Sequence, residues 1–229
     1  DESNYLVHFN QAEKYYDDEF FQDAVNELDE CLWIHSEADS VLALKGLCYI
    51  DLKEFEKAIN DLSEAILINP EIADYFAIRA DAYDELEKYE LAITDYTRAI
   101  ELNPSDAYSY LCRGWDYSEL NYHNMAIKDY TKYIELDPDK WGYCWRGVSY
   151  LELGKTTKSI EDFSRAILID SDYDYAYYNR GNANYKLGKL ADAISDYTQA
   201  IKLNPDYTKA YRNRGIARYE TCKAGACED

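Results

Sequence analysis

The sequence predicts an all-α protein made of repeated helix pairs, and three observations predict it. First, Asn69-Pro70, Asn103-Pro104, Asp137-Pro138 and Asn204-Pro205 recur on a 34-residue period. The last interval is 67 residues, because one repeat is a residue short near Lys140 and Ser171 stands where its proline would be. Second, each interval holds two apolar patterns at three-to-four spacing. Third, no β-type alternation of useful length occurs. Fixed self-similarity at such a period marks a repeat architecture.

The units follow in order as 5–38, 39–72, 73–106, 107–139, 140–173 and 174–207, with a partial seventh over 208–229. The first unit (Ala12, Tyr15, Ala24, Leu28) matches least well and lacks the proline. In 107–139, Tyr110, Gly114 and Tyr117 share one helical face, and Ala126, Tyr130 and Tyr133 repeat on a second segment. The closing proline stops the second helix, because it has no N–H and clashes with the preceding turn. Small residues recur where two helices must cross closely. The first-helix column is Gly46, Ala80, Gly114, Gly147, Gly181 and Gly215; the second-helix column is Ala24, Ala58, Ala92, Ala126, Ser159 and Ala193. The segment from Lys223 to Asp229 reads as a turn and the start of another helix, with more chain or another molecule expected to cover Tyr211, Ile216 and Tyr219.

The pattern Tyr110-x2-Arg113-Gly114-x2-Tyr117, Ala126-x3-Tyr130, Pro138 resembles the tetratricopeptide repeat (TPR) family over essentially the whole chain. The resemblance implies a right-handed α-solenoid of stacked antiparallel helix pairs, six full repeats plus the first helix of a seventh. Its first helices would line a concave groove, and each unit would contact mainly its neighbours. Arginine before the glycine departs from the family pattern.

That departure has an internal counterpart, an acid sixteen residues later: Lys45/Asp61, Arg79/Asp95, Arg113/Asp129, Arg146/Asp162 and Arg180/Asp196. In the first unit Gln11 stands opposite Glu27. Acid and base recurring together favour an ion pair inside each hairpin over a basic stripe for an anionic partner.

In the family, a few first-helix columns face the groove. In the first three units they carry Glu13, Asp17, Asp51, Asp74, Asp81, Asp84 and Glu85, an acidic stretch. The next two units give an aromatic middle of Tyr108, Leu111, Cys112, Trp115, Trp141, Cys144 and Trp145. The last two give a polar, basic end of Tyr175, Tyr178, Asn179, Asn182, Lys186, Lys209, Arg212 and Asn213. Asparagine both donates to and accepts from a peptide bond, and Tyr and Trp offer large contact area at low entropic cost. An extended peptide is the natural ligand of such a groove. The competing readings are that the Trp residues pack between helices and that the acids form a solvated face. Family members that clamp a C-terminal carboxylate use Lys and Asn on one first helix, Asn on the next, and Lys and Arg on a third. Here Asn182 and Asn213 occupy the Asn columns, but Tyr178 takes the Lys column and the third helix would lie past residue 229. Asn179 and Asn213 share a further column, which elsewhere holds Leu44, Ile78, Cys112 and Trp145.

Charge excludes other partners. The chain carries a formal net charge of −21, and residues 1–106 hold 27 acidic against 7 basic side chains. Nucleic acid is not expected, since binding there neutralises phosphates, nor is an anionic membrane surface. No apolar run approaches bilayer length. His8, His35 and His123 are scattered along the repeats, so neither a metal site nor a catalytic triad is expected, and no cofactor. The six cysteines show no metal spacing; Cys112 and Cys144 are expected as buried thiols, and Cys222 and Cys227, flanking a turn, likewise. A reducing, cytoplasmic compartment is the default. A chain beginning at Asp1 reads either as trimmed of a leader or as an excised segment. The expected function is non-catalytic binding of a protein or peptide, with basic residues of the partner toward the N-terminal half. The alternatives are self-assembly through the open C-terminal repeat, or an interaction segment of a longer enzyme or receptor.

Overall fold

The structure is a computed structural model and describes residues 2–36 and 38–223. Among these lie thirteen α-helices and no strand. Backbone contacts divide the chain into two compact units, Asp1–Asp116 and Tyr117–Asp229. The first holds α1 (Glu2–Asp17), α2 (Phe21–Ile34), α3 (Asp39–Asp51), α4 (Phe55–Ile68), α5 (Ala73–Glu85), α6 (Tyr89–Leu102) and most of α7 (Ala107–Glu119). The second holds α8 (His123–Leu136), α9 (Lys140–Glu152), α10 (Thr156–Ile169), α11 (Asp174–Lys186), α12 (Leu190–Leu203) and α13 (Thr208–Lys223). Helices pair as α1 with α2, α3 with α4, and α5 with α6 in the first unit. In the second, α9 pairs with α10 and α11 with α12, and α13 packs on α12. Lys223 is still helical, and the turn expected after it lies outside the described residues.

The turn inside each pair has one geometry. Glu19, Lys53, Glu87, Asn121, Gly154 and Gly188 take positive φ between 56° and 73°. The N–H of the next residue donates to the carbonyl five residues back, as in Phe20 to Tyr15 (2.8 Å) and Lys189 to Asn184 (2.9 Å). This is a left-handed helix cap that satisfies the last carbonyls. Between pairs, the residue at the Asn-Pro position ties back to the start of its own first helix. Asn69 donates to Asp39 (3.0 Å), Asn204 to Asp174 (2.8 Å), and Lys140 donates to Asp170 (2.5 Å).

The cores follow the small-residue columns. Ala24, Ala58, Ala92, Ala126, Ser159 and Ala193 are all fully buried. Gly46, Gly147 and Gly181 each lie under a large side chain sixteen residues on. A Cβ added at Gly46 would come within 2.7 Å of Leu62, one at Gly147 within 2.8 Å of Phe163, and one at Gly181 within 2.7 Å of Tyr197. Close helix crossing therefore selects glycine, or alanine at Ala80 opposite Tyr96.

The arginine column is structural. Arg79 holds Asp95 with two bonds of 2.7 and 2.8 Å, and Arg146 holds Asp162 with two of 2.8 Å. Arg180 binds Asp196 at 2.7 Å, and Lys45 reaches Asp61 at 3.6 Å. A third contact was not foreseen. Each arginine also donates to a hydroxyl on the preceding second helix: Ser63 from Arg79, Thr97 from Arg113, Thr131 from Arg146 and Ser164 from Arg180, all at 3.0–3.1 Å. Arg214 does the same to Thr198 at 3.3 Å. Lys45, at the same register, takes Asp29 at 2.7 Å instead. Lys45, Arg79, Arg146 and Arg180 thus each join three consecutive helices. In the first pair, where Gln11 stands at the position of the base, Glu27 takes His8 at 2.6 Å, from a ring three residues earlier on α1.

Candidate functional site

In the first unit, Glu13, Asp17, Asp51, Asp74 and Glu85 are exposed, as a solvated acidic face requires. Asp81 and Asp84 are half-buried. Asp81 Oδ1 accepts from Tyr96 (2.5 Å) and from Tyr108 (3.2 Å). The Tyr108 ring is 53% exposed while its hydroxyl turns inward to Asp81. Trp115, on the same helix, is also exposed. Burial raises the Asp81 carboxyl to about 6, assisted by Asp84 and Asp106 and opposed by the two tyrosine hydroxyls. Burial likewise lifts the Cys112 thiol to about 12.

Asp81 gives a pH dependence with a definite sign. Its ordinary value is 3.8 and its folded value about 6, so within that window the folded chain binds the extra proton. The contribution to stability therefore rises as pH falls from about 6 to about 4. Urea midpoints of wild type and Asp81→Asn should diverge across this window, wild type gaining relative to the variant at the acid end. Parallel curves would remove Asp81 as the cause.

In the second unit the aromatic residues form two clusters of ring contacts. Trp141 is 43% exposed and meets Tyr173 edge-on at 5.2 Å. Lys140 Nζ lies over both rings, at 5.2 and 5.1 Å. Trp145 is half-buried against Tyr175 (5.6 Å), which adjoins Tyr173 (6.2 Å). Tyr178 packs on Tyr207 (4.8 Å) and Tyr197 (6.0 Å). Trp141 is thus open to solvent, while Trp145 packs between helices. Tyr173 and Tyr207 escaped the sequence reading, although their 34-residue separation is a signal. Cys144 is a buried thiol raised to about 12 by that burial.

The asparagines divide. Asn179 is 7% exposed and donates to its own helix at Tyr175 O (2.9 Å), so it faces inward and does not join Asn213 on an open surface. Asn182 and Asn213 do come together. Asn182 Oδ1 accepts from Asn213 Nδ2 and from the Tyr197 hydroxyl, each at 2.9 Å. Asn213 Nδ2 also reaches the Tyr178 hydroxyl at 3.3 Å. With Tyr185, Lys186 and Ile216 they line a pocket of 260 Å³. Among the described residues no hydrogen bond occupies Asn182 Nδ2 or Asn213 Oδ1, a donor and an acceptor. Lys186, Lys209 and Arg212 are exposed.

Cys222 is disulfide-bonded, which corrects the thiol expected there; Cys227 lies outside the described residues. Sequence spacing does not report the Cα separation on which a disulfide depends. Among the described residues no cluster of His, Cys, Asp and Glu could hold a metal ion, and no helix is long and apolar enough to cross a membrane.

Models of the tetratricopeptide repeat match residues 39–72, 73–106, 107–140 and 175–207, and a TPR repeat model matches 147–188. No curated protein sequence matches the chain. Among solved structures, YrrB, described as a TPR protein with an unusual peptide-binding site, superposes with a TM-score of 0.74. It is 16% identical over 82% of this chain and 97% of its own. MamA gives a TM-score of 0.70 at 22% identity, over 75% of this chain and 94% of its own. A tetratricopeptide repeat protein from Parabacteroides merdae gives 0.63 at 20%, over 93% and 84%. At these identities the likeness is one of fold.

Proposed function

The chain belongs to the tetratricopeptide repeat family, and on that premise we propose that it is a non-catalytic interaction module whose Asn182–Asn213 pocket takes a peptide amide. The carrying observation is the unused pair at that pocket, Asn182 Nδ2 as donor and Asn213 Oδ1 as acceptor. A peptide bond offers the complementary C=O and N–H. The aromatic residues from Trp141 to Tyr178 supply apolar contact beside it, and rigid rings give that contact at low entropic cost. Among the described residues lining the pocket Lys186 is the one cation, fewer than the carboxylate clamp described above uses. YrrB, by its description, has a peptide-binding site of its own, and its shared fold supports the reading. The exposed acids from Glu13 to Glu85 favour a partner with basic residues toward that half, steering its approach.

The test is a peptide array read with free and amidated C-termini against wild type and Asn182→Ala/Asn213→Ala. Expected hits are indifferent to amidation and lost in the double variant. Loss on amidation would replace the amide reading with a carboxylate clamp. Hits unchanged by the variant would move the ligand away from this pocket.

A further inference from the structure

Trp33 on α2 is 85% exposed and Leu67 on α4 is 84% exposed. They occupy the same register of successive hairpins, 34 residues apart. On α2 the side facing the core is carried by Ala24, Val25, Leu28 and Cys31, so Trp33 lies on the opposite, solvent side. Scattered exposed apolar residues need no explanation. Here, however, the register shows what an ordinary solvated position holds: Glu101 on α6, Glu135 on α8 and Lys202 on α12. Replacing those by Trp and Leu places two apolar side chains where folding gains nothing from them.

Charge around the two residues repeats as well. Glu30 and Glu64 each precede the apolar residue by three positions, one helical turn, and hence share its face. Both are exposed, and among the described residues neither has an ion-pair partner. The third hairpin shows how this register is answered when the chain supplies its own cation. There Arg98 replaces the glutamate and reaches Glu71 at 3.5 Å and Glu101 at 3.2 Å. Leu168 on α10 shares the register of Trp33, but Arg165 stands where the glutamate would be. At this register, among the described residues, only α2 and α4 join an exposed apolar residue to an unanswered acid.

From this we infer that the solvent face of α2 and α4 docks a partner segment whose apolar side chains cover Trp33 and Leu67 and whose Lys or Arg residues meet Glu30 and Glu64. This surface is separate from the Asn182–Asn213 pocket, and its occupant is a basic amphipathic segment. Exposed apolar side chains beside charged ones are the material of protein contact sites, and tryptophan is among the residues that carry a disproportionate share of the affinity at such sites.

The probe is a fluorescein-labelled synthetic peptide with Leu and Lys at helical spacing, with the same peptide carrying Glu for Lys as control. Binding is read by anisotropy. The full chain is expected to bind the Lys peptide saturably and not the Glu peptide. Trp33→Ser/Leu67→Ser should weaken binding about tenfold or more. Glu30→Gln/Glu64→Gln should weaken it less and flatten its salt dependence. Asn182→Ala/Asn213→Ala should leave it unchanged. Binding of the Lys peptide that is lost in Asn182→Ala/Asn213→Ala but kept in Trp33→Ser/Leu67→Ser would place the peptide in the pocket and overturn the proposal. Both surface variants replace exposed residues, and circular dichroism checks that they fold. Absence of saturable binding, equal binding of the Glu peptide, or indifference to Trp33→Ser/Leu67→Ser would each overturn the proposal. So would concentration-dependent sedimentation of the free chain that Trp33→Ser/Leu67→Ser abolishes, which would make the occupant a second copy.

Discussion

Arg146→Ala is expected to lower stability by about 3–5 kcal/mol, the range for breaking a buried pair by removing one partner. Asp162 is nearly buried, and both of its oxygens are held by Arg146 at 2.8 Å. Removing the guanidinium leaves that carboxylate out of water with its main partner gone. The same change frees Thr131 and uncovers Tyr143 and Tyr150, whose rings lie 5.6 and 6.0 Å from the guanidinium carbon. Arg146→Lys should recover little, because an ammonium cannot make the two parallel bonds. Arg146→Met/Asp162→Leu should recover most of the loss, since it leaves no unpaired charge. The measurement is urea denaturation followed by tryptophan fluorescence, with Trp145 next to the substituted position. A loss below about 1 kcal/mol for Arg146→Ala would mean that solvent screens the pair, as at exposed sites.

Tyr197→Ala is expected to cost a similar amount, about 3–5 kcal/mol, by emptying the space beneath Gly181. Tyr197 is 1% exposed, and the glycine above it has no side chain with which to fill the gap. Tyr197→Phe keeps the ring and removes only the hydroxyl that donates to Asn182, at about 0.5–1.5 kcal/mol. The pair of variants separates packing from site geometry. The phenylalanine variant should fold nearly as wild type yet hold peptide less well, because Asn182 loses one of the two donors that orient it. Stability losses of equal size in the two variants would place the stabilisation in the hydroxyl rather than the ring.

Much of the fold was legible because it rests on repeated spacing. The Asn-Pro period, the small-residue columns and the base-to-acid interval of sixteen each have one physical reason, close helix crossing or a pair spanning one hairpin. The turns were not legible. Gly154 and Gly188 suit a left-handed position, but Glu19, Lys53 and Glu87 take the same positive φ against a penalty of about 1–2 kcal/mol. There the packing of the two helices overrides local preference. The hydroxyl column was overlooked because Ser63, Thr97, Thr131, Ser164 and Thr198 look like ordinary surface residues until the arginine of the next hairpin is placed beside them. In the candidate site, Asn182 and Asn213 were read from a family column and do meet. Asn179 shares a column with Asn213 but turns to its own helix, and sequence register does not report that choice of rotamer.

The bases that span three helices also set the chemistry of the joints between hairpins. From Arg79 onward the joint between one hairpin and the next is a neutral hydroxyl receiving an arginine, the same chemistry each time. Any hairpin ending in such a hydroxyl fits any hairpin beginning with such an arginine, so interior hairpins behave as parts of one thread pitch. The joint between α2 and α3 is cut differently, with Asp29 meeting Lys45. An arginine placed there would still pair with the carboxylate and Lys45 moved inward could still donate to a hydroxyl, so the two kinds of joint differ in charge rather than in fit. The opening joint is therefore an ion pair that salt would weaken, where the later joints rest on a neutral acceptor.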